Sequence, residues 1–166
     1  MDNESIRLRY KPDNIRLLLI AESPPASGKF FYLSSAMTKF TSLAFEKAHG
    51  ITFNNDLDFL EYFKACGCYL DDLSHIPVNN LDRPKREKQL SDSVDALSKR
   101  IREANPSVIV ICLRKIEGYV QEAINKSGCS PKVCALPYPG HGHQKKYIAG
   151  LAAIINQYIP NTQVIE

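Results

Sequence analysis

The stretch IRLLLIAESPPASGKFFY, residues 15–32, joins an apolar run to a carboxylate and then to three consecutive aromatics. The run Ile15-Arg16-Leu17-Leu18-Leu19-Ile20-Ala21 reads as a strand covered on both faces, the pattern of parallel strands. Glu22 then falls where the carboxyl end of the strand meets solvent, which is where open α/β sheets place their ligands. Pro24 and Pro25 stop the strand and hold its exit extended, and Phe30, Phe31 and Tyr32 offer flat apolar faces beyond the acid. An acid beside aromatic rings suits a planar polar ligand.

Working outward, residues 34–49 carry Met37, Phe40, Ala44 and Ala48 at helical spacing, with Ser34 or Ser35 as cap and Gly50 as stop. A short helix over 56–66 and a short strand over 68–73 follow, and the Pro-containing segment 74–84 reads as a loop. From Lys85 to Asn105, Leu90, Val94, Leu97 and Ile101 recur at helical intervals and predict one continuous helix. Pro106 closes it before the β-branched run Val108 to Leu113, a central strand. A helix over 116–125, a last strand over 132–136 and a helix over 143–158 complete the order. Strands alternating with helices predict an α/β fold: three α/β/α layers around a central, mostly parallel four-stranded sheet, in one domain spanning 1–166.

Composition sets wider bounds. A chain of 166 residues that is 44% hydrophobic buries one core, and a formal charge of +3 leaves a polyanionic partner open. Five cysteines, an odd number with Cys112 inside an apolar run, do not make a disulfide framework and point to a reduced, cytoplasmic setting. No apolar run reaches the length of a membrane span, and the first ten residues lack the pattern of a signal peptide. A soluble monomer with no membrane contact is expected.

If the strands are parallel, Glu22, Asp72, Arg114 and the loop Pro137 to His143 share one edge of the sheet. The loop ends in Gly140-His141-Gly142-His143 and opens a helix whose free N–H groups and dipole favour an anion, with Lys145 and Lys146 on the first turn. Histidines there are placed to steady negative charge on a phosphate or on a leaving group. Asp71 and Asp72 point to opposite faces of a strand and make no metal pair, and His49 and His75 read as surface or turn residues. The basic run Arg83, Lys85, Arg86 and Lys88 opposes a helix dipole, which suits either a phosphate partner or a solvated helix start.

A strand ending in Ala21-Glu22-Ser23-Pro24-Pro25, then aromatics, then a late strand followed by Leu136-Pro137-Tyr138-Pro139-Gly140-His141 before a final helix, resembles the uracil-DNA glycosylase superfamily. The first motif is similar to the Gly-Glu-Ala-Pro-Gly of its thermophilic branch, and the likeness in order and spacing covers residues 15–158. It implies extrusion of a damaged, deaminated base from DNA and hydrolysis of its N-glycosidic bond. By position it assigns catalysis to Glu22 and to His141 or His143, base binding to Phe30, Phe31 and Asp72, and DNA contacts to Ser23, Tyr138, Gly140, Lys145 and Lys146. Asp72 stands where uracil-reading members have an Asn, and Leu136-Pro137 where His-Pro is common, which passes the leaving-group role to the histidines of the last loop. The thermophilic branch's Cys-x-x-Cys start is missing, so neither an iron–sulfur cluster nor another cofactor or metal is expected.

Three function classes follow: a monofunctional DNA glycosylase, a non-catalytic nucleic-acid-binding protein of the same fold, and an unrelated small α/β hydrolase or nucleotide binder. Against the third, the chain has no Gly-x-Ser-x-Gly elbow around Ser23 and no phosphate-binding Gly-x-x-x-x-Gly-Lys loop.

Overall fold

Four short strands, β1 (Leu17–Ala21), β2 (Cys68–Asp72), β3 (Val108–Ile111) and β4 (Lys132–Ala135), form an all-parallel sheet in the order β2-β1-β3-β4. This is a computed structural model, and it describes residues 2–161; Met1 and 162–166 of the expected single domain lie outside the described residues. Helices α1 (Asn3–Arg9), α2 (Ala36–His49), α3 (Asp56–Ala65), α4 (Arg83–Asp92), α5 (Val94–Ala104), α6 (Glu117–Ser127) and α7 (Gln144–Tyr158) surround the sheet. Helix α2 packs on α3 and α7, and α5 packs on α6, which sets these two groups on opposite faces of the sheet, as right-handed crossovers between parallel strands require. None of these helices is long and apolar enough to cross a membrane.

Local chemistry explains the boundaries. Ser35 caps α2 in a reciprocal box with Thr38, and Gly50 ends that helix at φ 66°. Asn55 caps α3 by accepting from the Asp58 N–H. The segment expected as one helix over 85–105 is two helices joined at Ser93, whose hydroxyl donates to the Gln89 carbonyl at 2.7 Å and whose N–H bonds Leu90. A serine inside a helix competes in this way for backbone groups and interrupts the ladder. His49 is not at the surface: its ring bridges the Tyr62 hydroxyl (2.5 Å) and the Ile159 carbonyl (2.7 Å), fastening the end of α2 to α3 and to the end of α7.

Helix α1 has no counterpart in the sequence reading, and it covers the open edge of the sheet. Strand β2 is an edge strand whose outer backbone groups need partners. The Tyr32 hydroxyl supplies one pair, accepting from the Leu70 N–H at 2.8 Å and donating to the Leu70 carbonyl at 2.9 Å. Tyr10, which follows α1, stacks on Tyr32 at 5.4 Å, and Arg7 of α1 lies over the Phe30 ring while its Nη2 donates to Asp72 Oδ2. Arg7 is 2% exposed and Asp72 4%, so each needs the other's charge. Arg7→Met is expected to lower stability by about 3 kcal/mol, the cost of stranding one member of a buried ion pair. Urea denaturation checks this, with Leu8→Ala on the exposed side of the same helix leaving the midpoint unchanged.

Candidate functional site

Parallel register sets four residues in a row across the carboxyl edge of the sheet. Ala21 pairs with Asp72, and one residue beyond the pairs Ile20–Ile111 and Ile111–Ala135 stand Ala21, Cys112 and Leu136. Side chains in one such row share a face. All four line a cleft of about 1300 Å³ that opens at this edge, beside the point where the chain leaves β1 for β2 on one side and β3 lies on the other. Cys112 is fully buried in this floor, and burial pushes its thiol up to about 12 despite contact with the Tyr147 hydroxyl. It is a packing residue, not a nucleophile.

The loop after β1 forms one wall. Glu22 is half-buried, and its two carboxylate oxygens are forked by Arg86 of α4: Nε donates to Oε2 at 3.2 Å and Nη2 donates to Oε1. Lys115 stands 3.9 Å from Oε2. Ser23 lines the cleft but its hydroxyl accepts from the Val78 N–H at 3.2 Å, and Asn79 receives the Ala26 N–H at 3.1 Å. These two bonds latch the loop after β2 onto the loop after β1 and so deliver α4 to Glu22.

Phe30 and Phe31 are in the wall, packed rather than free. Phe31 sits edge-on to Tyr32 at 5.0 Å and against Phe63 at 5.5 Å, and both phenylalanines are buried. Both rings line the cleft and are held from behind by the aromatic cluster. Tyr138, 43% exposed, is the aromatic ring of the lining that reaches solvent, and it packs over Gly140, where an added Cβ would come within 3.1 Å of the ring.

The loop from Pro137 to His143 makes the opposite wall. His141 holds a left-handed backbone at φ 52°, and the His143 N–H bonds the Gly140 carbonyl at 3.0 Å, which turns the chain into α7. His141, His143 and Lys146 line the cleft, and their side chains have no partner among the described residues. Lys145 is exposed outside the lining. With Lys29, Arg114 and Lys115 also at the rim, cations outnumber carboxylates, and both carboxylates, Glu22 and Asp72, are ion-paired. The rim favours an anion.

Of the basic run on α4, Arg83 pairs with Glu87, Lys85 with Asp82 and Lys88 with Asp92, which leaves Arg86 as the member turned into the cleft. The two aspartates of β2 separate as alternation requires. Asp71 faces α5, taking Arg100 Nε at 2.6 Å and His75 Nε2 at 2.7 Å, so His75 is a half-buried partner of this pair. Burial pushes the Asp72 carboxyl up to about 6 against the pull of Arg7, with Asp71 adding to the rise.

Comparison with known proteins returned neither a family model nor a curated protein that matches this chain. The functional reading therefore rests on the cleft and on the motif order.

Burial acts to raise Asp71 as well, but the His75 hydrogen bond and the Arg100 charge outweigh it and hold the carboxyl at about 2, below the ordinary 3.8. A depressed carboxyl contributes stability above its ordinary value and loses it as pH falls through the folded one. Stability is thus expected to drop by about 2 kcal/mol as the pH is lowered from roughly 4 to 2 on account of this group alone. Asp71→Asn should remove that part of the acid slope, as urea midpoints measured across the range will show.

Proposed function

We propose that the chain binds DNA across the carboxyl edge of its sheet and hydrolyses the N-glycosidic bond of a damaged base held in the cleft. The observation that carries this reading is the convergence, in one cleft, of the Glu22 loop, an apolar aromatic wall and the His141-to-Lys146 turn. Three requirements of the reaction find matching groups. An apolar slot shields a flipped base from water. A carboxylate at its mouth, Glu22, is placed to favour the cationic sugar or to orient water. Unpaired cations and histidines on the far wall favour the departing base and the flanking phosphates.

A second reading is favoured by one contact. Arg86 occupies both oxygens of Glu22, as expected in a protein that binds nucleic acid and cleaves nothing. Single-turnover assays on oligonucleotides carrying different lesions, developed by alkaline cleavage at abasic sites, separate the two. Excision by the wild type, slowed about 100-fold or more in Glu22→Ala and His141→Ala, is the expected result. Salt-sensitive DNA binding without abasic product on any lesion would leave the binding reading alone, and absence of binding at low salt would remove both.

A further inference from the structure

Arg86 behaves unlike the other cations of its helix. Arg83, Lys85 and Lys88 pair with acids three or four residues away along the chain, whereas Arg86 reaches out of α4 to the loop after β1. Its Nε donates to Glu22 Oε2 at 3.2 Å and its Nη2 to Oε1. Lys115, on the single helical turn Arg114–Ile116 after β3, stands 3.9 Å from Oε2. Two cations from separate elements thus converge on one small anion, and the Glu22 side chain between them is only 13% exposed. A phosphodiester presents one negative charge over two free oxygens, as a carboxylate does, and the planar fork of an arginine fits either.

The ion pair is not what holds α4 in place. The Val78 N–H on Ser23 and the Ala26 N–H on Asn79 fix the chain ahead of the helix, Gln89 Nε2 donates to the Ser74 hydroxyl at 3.3 Å, and Leu90 is buried beneath it. These contacts leave the Arg86 and Lys115 side chains free to change partners while the backbone stays put. Both border the cleft, and Arg86 Nη1 has no partner among the described residues.

We propose that Arg86, flanked by Lys115, is the seat of a backbone phosphate, and that the Glu22 carboxylate plugs this seat until a strand arrives. The proposal rests on the DNA-binding reading above and concerns what becomes of the Glu22–Arg86 contact when a strand binds. An incoming phosphodiester takes over the Arg86 fork and Glu22 is released into the cleft. The carboxylate is then masked in the free protein and available only beside a bound strand. The contact that favours a non-cleaving protein is, on this account, a property of the empty cleft. It also lowers affinity, because a phosphate at this seat has to displace an internal anion before it gains the two cations.

The test is a double-mutant cycle on the whole chain. Binding of a short single-stranded oligonucleotide is read by fluorescence anisotropy at fixed salt, and inorganic phosphate is titrated alongside in ¹⁵N spectra. Glu22→Gln keeps the shape of the side chain and removes its charge, and it is expected to tighten oligonucleotide binding about tenfold, the worth of one hydrogen bond to a charged group. In an Arg86→Gln background the same change should gain less than about twofold, since the seat is gone. Arg86→Lys keeps the charge, and with it the fold, but loses the fork, and there the gain should fall to about threefold. A gain undiminished in both arginine backgrounds means that Glu22 repels the strand from a distance, and it overturns the proposal, as does no gain in the wild-type background. Oligonucleotide binding without this coupling therefore removes the seat and keeps the DNA reading. The coupled gain seen with inorganic phosphate, and no binding of any oligonucleotide, keeps the seat and removes the DNA reading.

Discussion

In an all-parallel sheet every strand ends at the same edge, and that constraint organises this molecule. The order β2-β1-β3-β4 places the exits of all four strands along one line, so residues as distant in sequence as Asp72, Ala21, Cys112 and Leu136 become neighbours in one floor. The walls then follow from the loops that must leave that edge. Right-handed crossovers decide which helices stand on each side, and α7, returning after β4, brings the glycine- and histidine-rich turn over the floor.

Charge at this edge is managed by a repeated device. Each carboxylate there is engaged by an arginine from an element remote in the chain: Asp72 by Arg7 of α1, Asp71 by Arg100 of α5 and Glu22 by Arg86 of α4. The pairs are partly or fully withdrawn from water, where an uncompensated charge is costly. They also fasten peripheral helices to the sheet. The cations left unpaired in the lining are Lys29 and Lys146, beside the two histidines of the last loop, so the cleft presents positive charge although two acids line it. Three negative charges are used internally and the unpaired positive ones face outward.

Most of the sheet and its crossovers were legible in the sequence, because strands buried on both faces and helices buried on one leave periods of their own in the apolar residues. The grouping of Glu22, Asp72, Arg114 and the 137–143 loop followed from strand direction alone. Four features left no such mark. Helix α1 is short, and its buried face is one isoleucine, Ile6, and an arginine, Arg7, which periodicity counts as exposed. The break at Ser93 depends on a side-chain hydrogen bond and leaves the spacing of Leu90, Val94 and Leu97 intact. The inward turn of Arg86 could not be told from that of Arg83, Lys85 or Lys88, since a run of cations carries no sign of which member meets an acid 64 residues away. The packing of Phe30 and Phe31 against Tyr32, Phe59 and Phe63 is likewise a tertiary fact that their spacing in the chain does not carry.

The central claim is that the carboxyl-edge cleft is where a nucleotide binds. It is tested most directly by mapping, in the ¹⁵N spectrum of the full chain, the amides that respond to a short single-stranded oligonucleotide. The account predicts shifts at Ala21, Asp72, Cys112 and Leu136 in the floor and at Lys29, His141 and Lys146 on the rim. Shifts confined to the opposite edge of the sheet, around Asn14, Arg16 and Gly67, would contradict it.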